Sequence, residues 1–176
     1  MSGIDFEVVD LGEADSVAVG EQAPDFTRPL VGREYWEDVS LSDLTAEGPV
    51  VLVFTTMDGA FPSTYMWNAI RDRGWGTEGG PAAEATVVGL SISTPYEHET
   101  LIDERNMEYD LFSDPSNAVA ESYGVPNDLD GMEGVAEPRP AVFVIDTDRR
   151  VQYAWVASEW PDFPDYDEVE AALADL

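Results

Sequence analysis

The chain has 176 residues, 44% of them apolar and 11% aromatic, a composition typical of one globular domain with a full hydrophobic core. Its 37 Asp and Glu residues face only eight basic residues, all arginine, and the net charge of −29 excludes non-specific binding to nucleic acid or anionic lipid, which requires basic side chains. The chain has no cysteine, which excludes disulfides, thiolate metal sites and thiol chemistry.

The charge balance also predicts where the protein works. A carboxylate-rich surface without lysine suits a salt-saturated cytoplasm, because carboxylates hold hydrated cations and salt screens their repulsion. We therefore expect a cytoplasmic protein of an extreme halophile. No apolar run approaches the ~20 residues that a membrane-spanning helix needs, and the first 20 residues lack the features of a secretory signal. Neither a membrane nor a nucleic acid is expected as a partner.

Residues 1–18 form an acidic extension that we expect to be loosely attached, and residues 19–176 form the domain. Within the domain, continuous apolar runs predict buried strands, and helical patterns lie between them. The predicted elements are strand Val50–Phe54, helix Thr64–Arg73, strand Val87–Ile92, a helix from Pro95, strand Leu111–Phe112, a helix from Asp114 to about Tyr123, strands Ala141–Ile145 and Val151–Val156 as a hairpin, and a last helix after Asp165.

Cap signals support the predicted helix starts. Thr94 and Glu97 form a capping box around Pro95, and Asp114 is followed by Pro115 in a similar way. The alternation of strands and helices predicts an α/β fold with a central mixed sheet and helices on both faces.

Several segments in this order resemble the peroxiredoxins, the alkyl hydroperoxide reductase/thiol-specific antioxidant branch of the thioredoxin superfamily. The segments are Val19–Phe26, Val39–Leu44, Val50–Phe54, Val88–Ser93, Leu111–Pro115, Glu121–Val125 and Val142–Asp146. The resemblance covers about residues 18 to 173. It implies a thioredoxin-like fold of peroxiredoxin type, a thiol peroxidase ancestry and, as partners, a second copy of the chain or another member of the family.

The active-site motif departs from the family pattern, which is Pro-x-x-x-Thr/Ser-x-x-Cys after the first buried strand. Counted from Phe54, the proline position holds Thr56, the threonine position Ala60 and the cysteine position Ser63. Arg139 lies one residue before the position at which we expect the family's arginine. The resemblance therefore implies a vestigial site at these four positions, with no cofactor and no metal.

The serine changes the chemistry of the site. A peroxidatic thiolate attacks peroxide and becomes a sulfenic acid, a cycle for which a hydroxyl has no equivalent. The favoured hypothesis is a cysteine-less homologue without peroxidase activity that acts in binding, scaffolding or regulation. The alternatives are a thiol peroxidase whose cysteine was replaced by serine through engineering, and an enzyme with unrelated chemistry at the old pocket.

Each candidate residue also has a structural interpretation. Ser63 is either a nucleophile or a first-turn or capping residue of the helix after Pro62. His98 is either a catalytic base or, as we prefer, a surface or helix-start residue. Arg139 either binds an anion, in a pocket shared with the helix that begins near Ser63, or forms a salt bridge with one of the many carboxylates.

Two further segments leave alternatives open. The acidic loop of Asp128, Asp130 and Glu133 lacks the spacing of a calcium loop, so we interpret it as a solvated surface. The aromatic residues Trp155, Trp160, Phe163 and Tyr166 indicate either a dimer interface or a hairpin covered by the last helix.

The charge predicts a steep salt dependence of stability. With a net charge of −29, self-repulsion should destabilise the fold in dilute buffer, where the screening length rises from ~3 Å at 1 M salt to ~30 Å at 0.01 M. The melting temperature, followed by circular dichroism, should therefore rise between dilute buffer and molar KCl. A flat profile would contradict this expectation.

Overall fold

Strands and helices alternate along the chain in a computed structural model, which describes residues 7–127 and 131–176. The strands are β1 (Val9–Asp10), β2 (Thr27–Val31), β3 (Trp36–Ser40), β4 (Val50–Phe54), β5 (Thr86–Ser91), β6 (Asp110–Ser113), β7 (Pro126–Asn127), β8 (Glu137–Pro138), β9 (Ala141–Ile145), β10 (Val151–Val156) and β11 (Glu159–Trp160). The helices are α1 (Leu41–Glu47), α2 (Phe61–Arg73), α3 (Pro95–Arg105), α4 (Ala118–Tyr123) and α5 (Tyr166–Ala174).

A central mixed sheet organises the described residues. Its seven strands lie in the order β10-β9-β4-β5-β6-β2-β3. The pairs β4·β5 and β5·β6 are parallel, whereas β9 runs antiparallel to β4 and β10, and β2 runs antiparallel to β6 and β3. This arrangement confirms the predicted thioredoxin-like α/β fold.

Alternating side chains of the central strands form one core on each face of the sheet. On one face, Leu52 and Phe143 pack with buried residues of α1 and α4, including Tyr123. On the other face, Val53 and Val142 pack with buried residues of α2, α3 and α5. Because β4 and β9 are covered on both sides, all five residues of each strand are buried, as their apolar sequences predict.

Most predicted elements agree with the structure, and the differences have local causes. Strands β4, β9 and β10 match the predicted ranges, and α3 begins at Pro95 behind the Thr94 capping box. The helix predicted from Asp114 instead begins at Ala118. The Asp114 carboxylate accepts the backbone N–H of Val119 and pairs with Arg28 at 2.9 Å, so this residue anchors the loop before the helix.

Residues 7–18 of the N-terminal extension contact the domain and are not loosely attached. Strand β1 pairs with β11, and the backbone N–H of Val17 donates to the carbonyl of Tyr123. The positive-φ residue Gly124 lies so close to Asp15 that an added Cβ would meet the Asp15 carbonyl oxygen at 2.0 Å. The described part of the extension therefore wraps around the end of the sheet. No helix of the described residues is long and apolar enough to cross a membrane.

Helix α2 lies directly on β5 because the strand has a glycine under the helix. A Cβ added to Gly89 would meet Cζ2 of Trp67 at 2.4 Å and Cδ2 of Leu111 at 2.6 Å. The Trp67 ring thus occupies the space of a missing side chain. This contact sets the distance of α2 from the sheet.

Substituting this glycine should destabilise the fold. We expect Gly89→Ala to lower the free energy of unfolding by about 1–3 kcal/mol, because the methyl group overpacks the Trp67 ring. Urea denaturation in molar KCl measures the change. If the urea concentration at the unfolding midpoint and the urea dependence of the free energy of unfolding are both unchanged, the Trp67 ring does not lie on Gly89.

Candidate functional site

The four residues that the sequence predicts as a vestigial site come from three segments near one end of the central sheet. The last residues that pair between β4 and β9 are Phe54 and Ala141. Thr56 lies two residues beyond this pair on one segment, and Arg139 lies two residues before it on the other. Helix α2 then begins with Ala60 as its N-cap and Ser63 as its third residue.

The hydroxyl groups at this site are buried without hydrogen-bond partners. Thr56 is 0% exposed and Ser63 is 4% exposed, and neither side-chain oxygen has a partner among the described residues. Ala60 provides no capping oxygen, so α2 begins without a side-chain cap. Ser63 is thus a first-turn residue, not the N-cap.

Arg139 is buried and bound to backbone carbonyls instead of a carboxylate. Its Nη1 donates to the carbonyls of Gly12 and Ala157, each at 3.0 Å, and its Nη2 donates to the carbonyl of Leu11 at 3.2 Å. Its Nε has no partner within residues 7–127 and 131–176. Burial lowers the pKa of this guanidinium, yet an arginine remains charged at neutral pH. The N-terminal extension therefore supplies two of the three acceptors of the buried cation.

The small cleft beside Ser63 is lined by another arginine. Its volume is about 10 Å³, room for no more than about one water molecule. Ser63, Asp58 and Trp67 line it together with Arg105 from the end of α3. The predicted pocket shared by Ser63 and Arg139 is not found here, because Arg105 lines this cleft and Arg139 does not.

His98 lies at the start of α3, but its predicted surface position is wrong. The side chain is 1% exposed. Its Nδ1 is 2.7 Å from Oδ2 of Asp58, and its Nε2 is 2.9 Å from the carbonyl oxygen of Phe112. The ring therefore links α3 to the loop after β4 and to β6. The sequence gives little sign of this bridge, because its three partners are far apart along the chain.

Hydrogen-bond chemistry restricts the protons of this bridge. The Phe112 carbonyl only accepts, so Nε2 of His98 must donate to it. The Nδ1–Oδ2 contact then needs one further proton, held either by the ring or by the Asp58 carboxyl. Both ring nitrogens are occupied in either arrangement. His98 therefore has no nitrogen free to accept a proton from Ser63.

The bridge makes contrasting predictions for two substitutions of Asp58. The amide of Asp58→Asn can donate to Nδ1 of a neutral His98 ring, so stability should change little. Asp58→Ala leaves a buried ring nitrogen unpaired and should lower the free energy of unfolding by about 1–3 kcal/mol. Urea denaturation in molar KCl measures the free energy of unfolding of both variants.

Asp103→Ala serves as the matched control, because Asp103 is exposed on α3. We expect this variant to stay within about 0.5 kcal/mol of the unaltered protein. Equal losses for Asp58→Asn and Asp58→Ala would contradict the proposed proton arrangement.

The aromatic C-terminal stretch is partly packed against the core and partly exposed. Trp155 and Tyr166 pack against the core, and Tyr166 lies 5.9 Å from the Trp75 ring. Phe163 is 38% exposed and contacts Phe61 and Tyr65 beside the start of α2. The last helix thus covers part of the hairpin, and one aromatic cluster remains at the surface.

The acidic loop is described only in part. Asp128 and Asp130 lie outside the described residues, and Glu133 is exposed. Within 7–127 and 131–176, no group of three or more His, Asp or Glu side chains is arranged to hold a metal ion.

Comparisons with known proteins agree with the fold. The AhpC/TSA family matches residues 19–154. A chloroplastic 2-cysteine peroxiredoxin of Chattonella marina var. antiqua is 30% identical over 148 residues, which are 80% of this chain and 71% of that protein. A chloroplastic 2-Cys peroxiredoxin of Hordeum vulgare is 27% identical over 151 residues, 82% of this chain and 68% of that protein.

A solved structure shows the same architecture. The crystal structure of peroxidoxin BcpB from Mycobacterium tuberculosis superposes with a TM-score of 0.73 and 26% identity, covering 90% of this chain and 97% of that one. The family match, the relatives and the sheet order lead to one conclusion. The chain belongs to the AhpC/TSA family of peroxiredoxins, although it contains no cysteine.

Proposed function

We propose that this protein is a peroxiredoxin homologue that does not reduce peroxides and acts through binding, in a scaffolding or regulatory role. One observation carries the proposal: the chain contains no cysteine, and the motif spacing assigns Ser63 to the position of the peroxidatic cysteine. A hydroxyl is not ionised like a thiol at neutral pH, and it has no sulfenic acid cycle.

The surroundings of Ser63 support loss of the original chemistry. The family's orienting hydroxyl is replaced by Ala60, which cannot hydrogen-bond a peroxide oxygen through its side chain. Both Nη atoms of Arg139 donate to backbone carbonyls. These hydrogen bonds direct the guanidinium to the protein itself and not to an anion. The strands and helix of the family fold are retained, although these side chains differ from the family motif. This combination favours a binding role for the folded domain.

Hydrolase chemistry at Ser63 is disfavoured by the position of the histidine. An activated serine needs a base within hydrogen-bond reach. The chain has one histidine, His98, and both of its ring nitrogens are engaged by Asp58 and by the Phe112 carbonyl. This argument favours binding over catalysis by a serine nucleophile.

The charge supports a further part of the proposal. With 37 acidic residues, eight arginines and no lysine, the surface fits a cytoplasm of high salt concentration in a halophile. The proposed partners are a second copy of this chain or another member of the family. The exposed cluster of Phe61, Tyr65 and Phe163 supports such a contact, since aromatic residues are enriched at protein interfaces.

A peroxide consumption assay tests the proposal. The metal-free protein in molar KCl should consume hydrogen peroxide or an organic hydroperoxide, with dithiothreitol as reductant, at the rate of the buffer blank, because it provides no thiolate. Turnover above the blank would overturn the proposal.

Two variants separate this proposal from the engineered-serine alternative. We expect Ser63→Cys to react slowly, and Ser63→Cys/Ala60→Thr to react faster because the added hydroxyl can orient peroxide. Ser158→Cys, at an exposed position, is the control for the reactivity of an ordinary thiol. If Ser63→Cys alone equals the double variant and greatly exceeds Ser158→Cys, the engineered-serine alternative is favoured.

A further inference from the structure

A second, larger pocket opens between α2 and the end of α3. Its volume is about 250 Å³. We call it the α2–α3 pocket and define it by the lining residues that matter for its chemistry, which are Trp67, Asn68, Arg71, Arg105, Glu108 and Tyr109. It shares Trp67 and Arg105 with the cleft beside Ser63, so the two spaces are neighbours.

Aromatic rings form the apolar part of this pocket. Trp67 and Tyr109 are stacked, with ring centroids 5.6 Å apart and an interplanar angle of 27°. They are 7% and 9% exposed, so packing holds both rings in place. The Tyr109 hydroxyl donates to the Trp75 carbonyl at 2.8 Å, which turns its polar end away from a ligand. This surface favours a planar apolar group.

The positive charge at the pocket is unusual for this chain. Two of the eight arginines line it, although acidic residues are more than four times as numerous. Arg105 is exposed and has neither a hydrogen bond nor an ion pair among the described residues. Within the part of the chain that the structure describes, Arg71 pairs only with its neighbour Asp72, at 2.9 Å, and both side chains are more than 60% exposed. Such exposed pairs are weak, so both guanidinium groups are available to an anion.

The remaining polar residues limit the charge of the ligand. The side chain of Asn68 is half-buried and has no hydrogen bond within the described ranges, so it can donate to an oxygen of a ligand. Glu108 lies at the same pocket, where burial and, to a smaller extent, the Glu108 carboxylate raise the pKa of Tyr109. Its carboxylate would repel a second negative charge. A singly charged anion therefore fits better than a phosphate dianion.

We propose that the α2–α3 pocket binds a small aromatic carboxylate, with the ring against Trp67 and Tyr109 and the carboxylate on Arg105. Guanidinium groups bind carboxylates through paired N–H donors and also stack on rings. The volume lies below the ~300–1,000 Å³ typical of sites for drug-sized ligands, so a ligand of one or two rings is expected. The inference rests on the proposed binding function and names a ligand class for it.

Titration with three matched probes tests the ligand class. Benzoate should shift the indole N–H signal of Trp67 saturably in ¹⁵N–¹H spectra, the signal being assigned with Trp67→Phe. Benzamide, which has the same shape without the charge, should bind at least tenfold more weakly. Cyclohexanecarboxylate, which keeps the charge without the aromatic ring, should also bind more weakly than benzoate.

Substitution of the free arginine tests the position of the carboxylate. Arg105→Gln should weaken benzoate binding at least tenfold, whereas Arg150→Gln should leave it unchanged, because Arg150 is bound to the Gly20 carbonyl and is not a lining residue of the pocket. Absence of a saturable shift, equal affinity for benzamide, or an unchanged affinity in Arg105→Gln would each overturn the inference. The peroxide assay reports on Ser63 and this titration on Arg105, so either proposal can fail without the other.

Discussion

The close contact between the Trp67 ring and Gly89 determines the position of α2, and the site depends on that position. The ring fills the space over β5 that any larger residue at position 89 would occupy. One end of the helix then carries Ser63 to the end of β4, and the other brings Arg71 near the end of α3. The same ring lines both the cleft and the α2–α3 pocket. One packing contact thus links the fold, the vestigial site and the proposed ligand site.

A buried polar bridge keeps the neighbouring elements in register with this helix. His98 joins α3 to Asp58 and to the carbonyl of Phe112, and the backbone N–H of Asp58 donates to Oγ of Ser93 at 2.8 Å. Buried polar groups are costly when unpaired, so the satisfied bridge specifies one arrangement of loop and helix. Among the described residues, the side-chain oxygens of Thr56 and Ser63 have no hydrogen-bond partner. The buried polar atoms of His98 are therefore better satisfied than those of Thr56 and Ser63.

Sequence patterns predicted the central strands well and the polar contacts poorly. Val50–Phe54 and Ala141–Ile145 are apolar throughout because both faces of these strands are buried, so their ends are visible in the sequence. Ala60 and Ser63 lie at the N-cap and in the first turn of α2, and their assignment, with Thr56, to the family motif rests on the spacing after β4 and stays a prediction. By contrast, Asp114 resembles a helix cap but anchors Arg28, and the partners of His98 and Arg139 lie many residues away. Such long-range contacts leave no local periodicity.

Arg139 is a buried cation whose N–H groups are largely satisfied by the protein itself. A buried guanidinium needs acceptors for its N–H groups, because an unpaired buried donor costs about 1–3 kcal/mol. Carbonyls of Leu11, Gly12 and Ala157 now provide them, two of the three from the N-terminal extension. Because these carbonyls already accept hydrogen bonds from Arg139, its guanidinium has fewer donors left for an incoming anion. The same hydrogen bonds attach the extension to the domain. Arg105 has no such acceptors among the described residues, so its N–H groups, unlike those of Arg139, remain available to the proposed ligand.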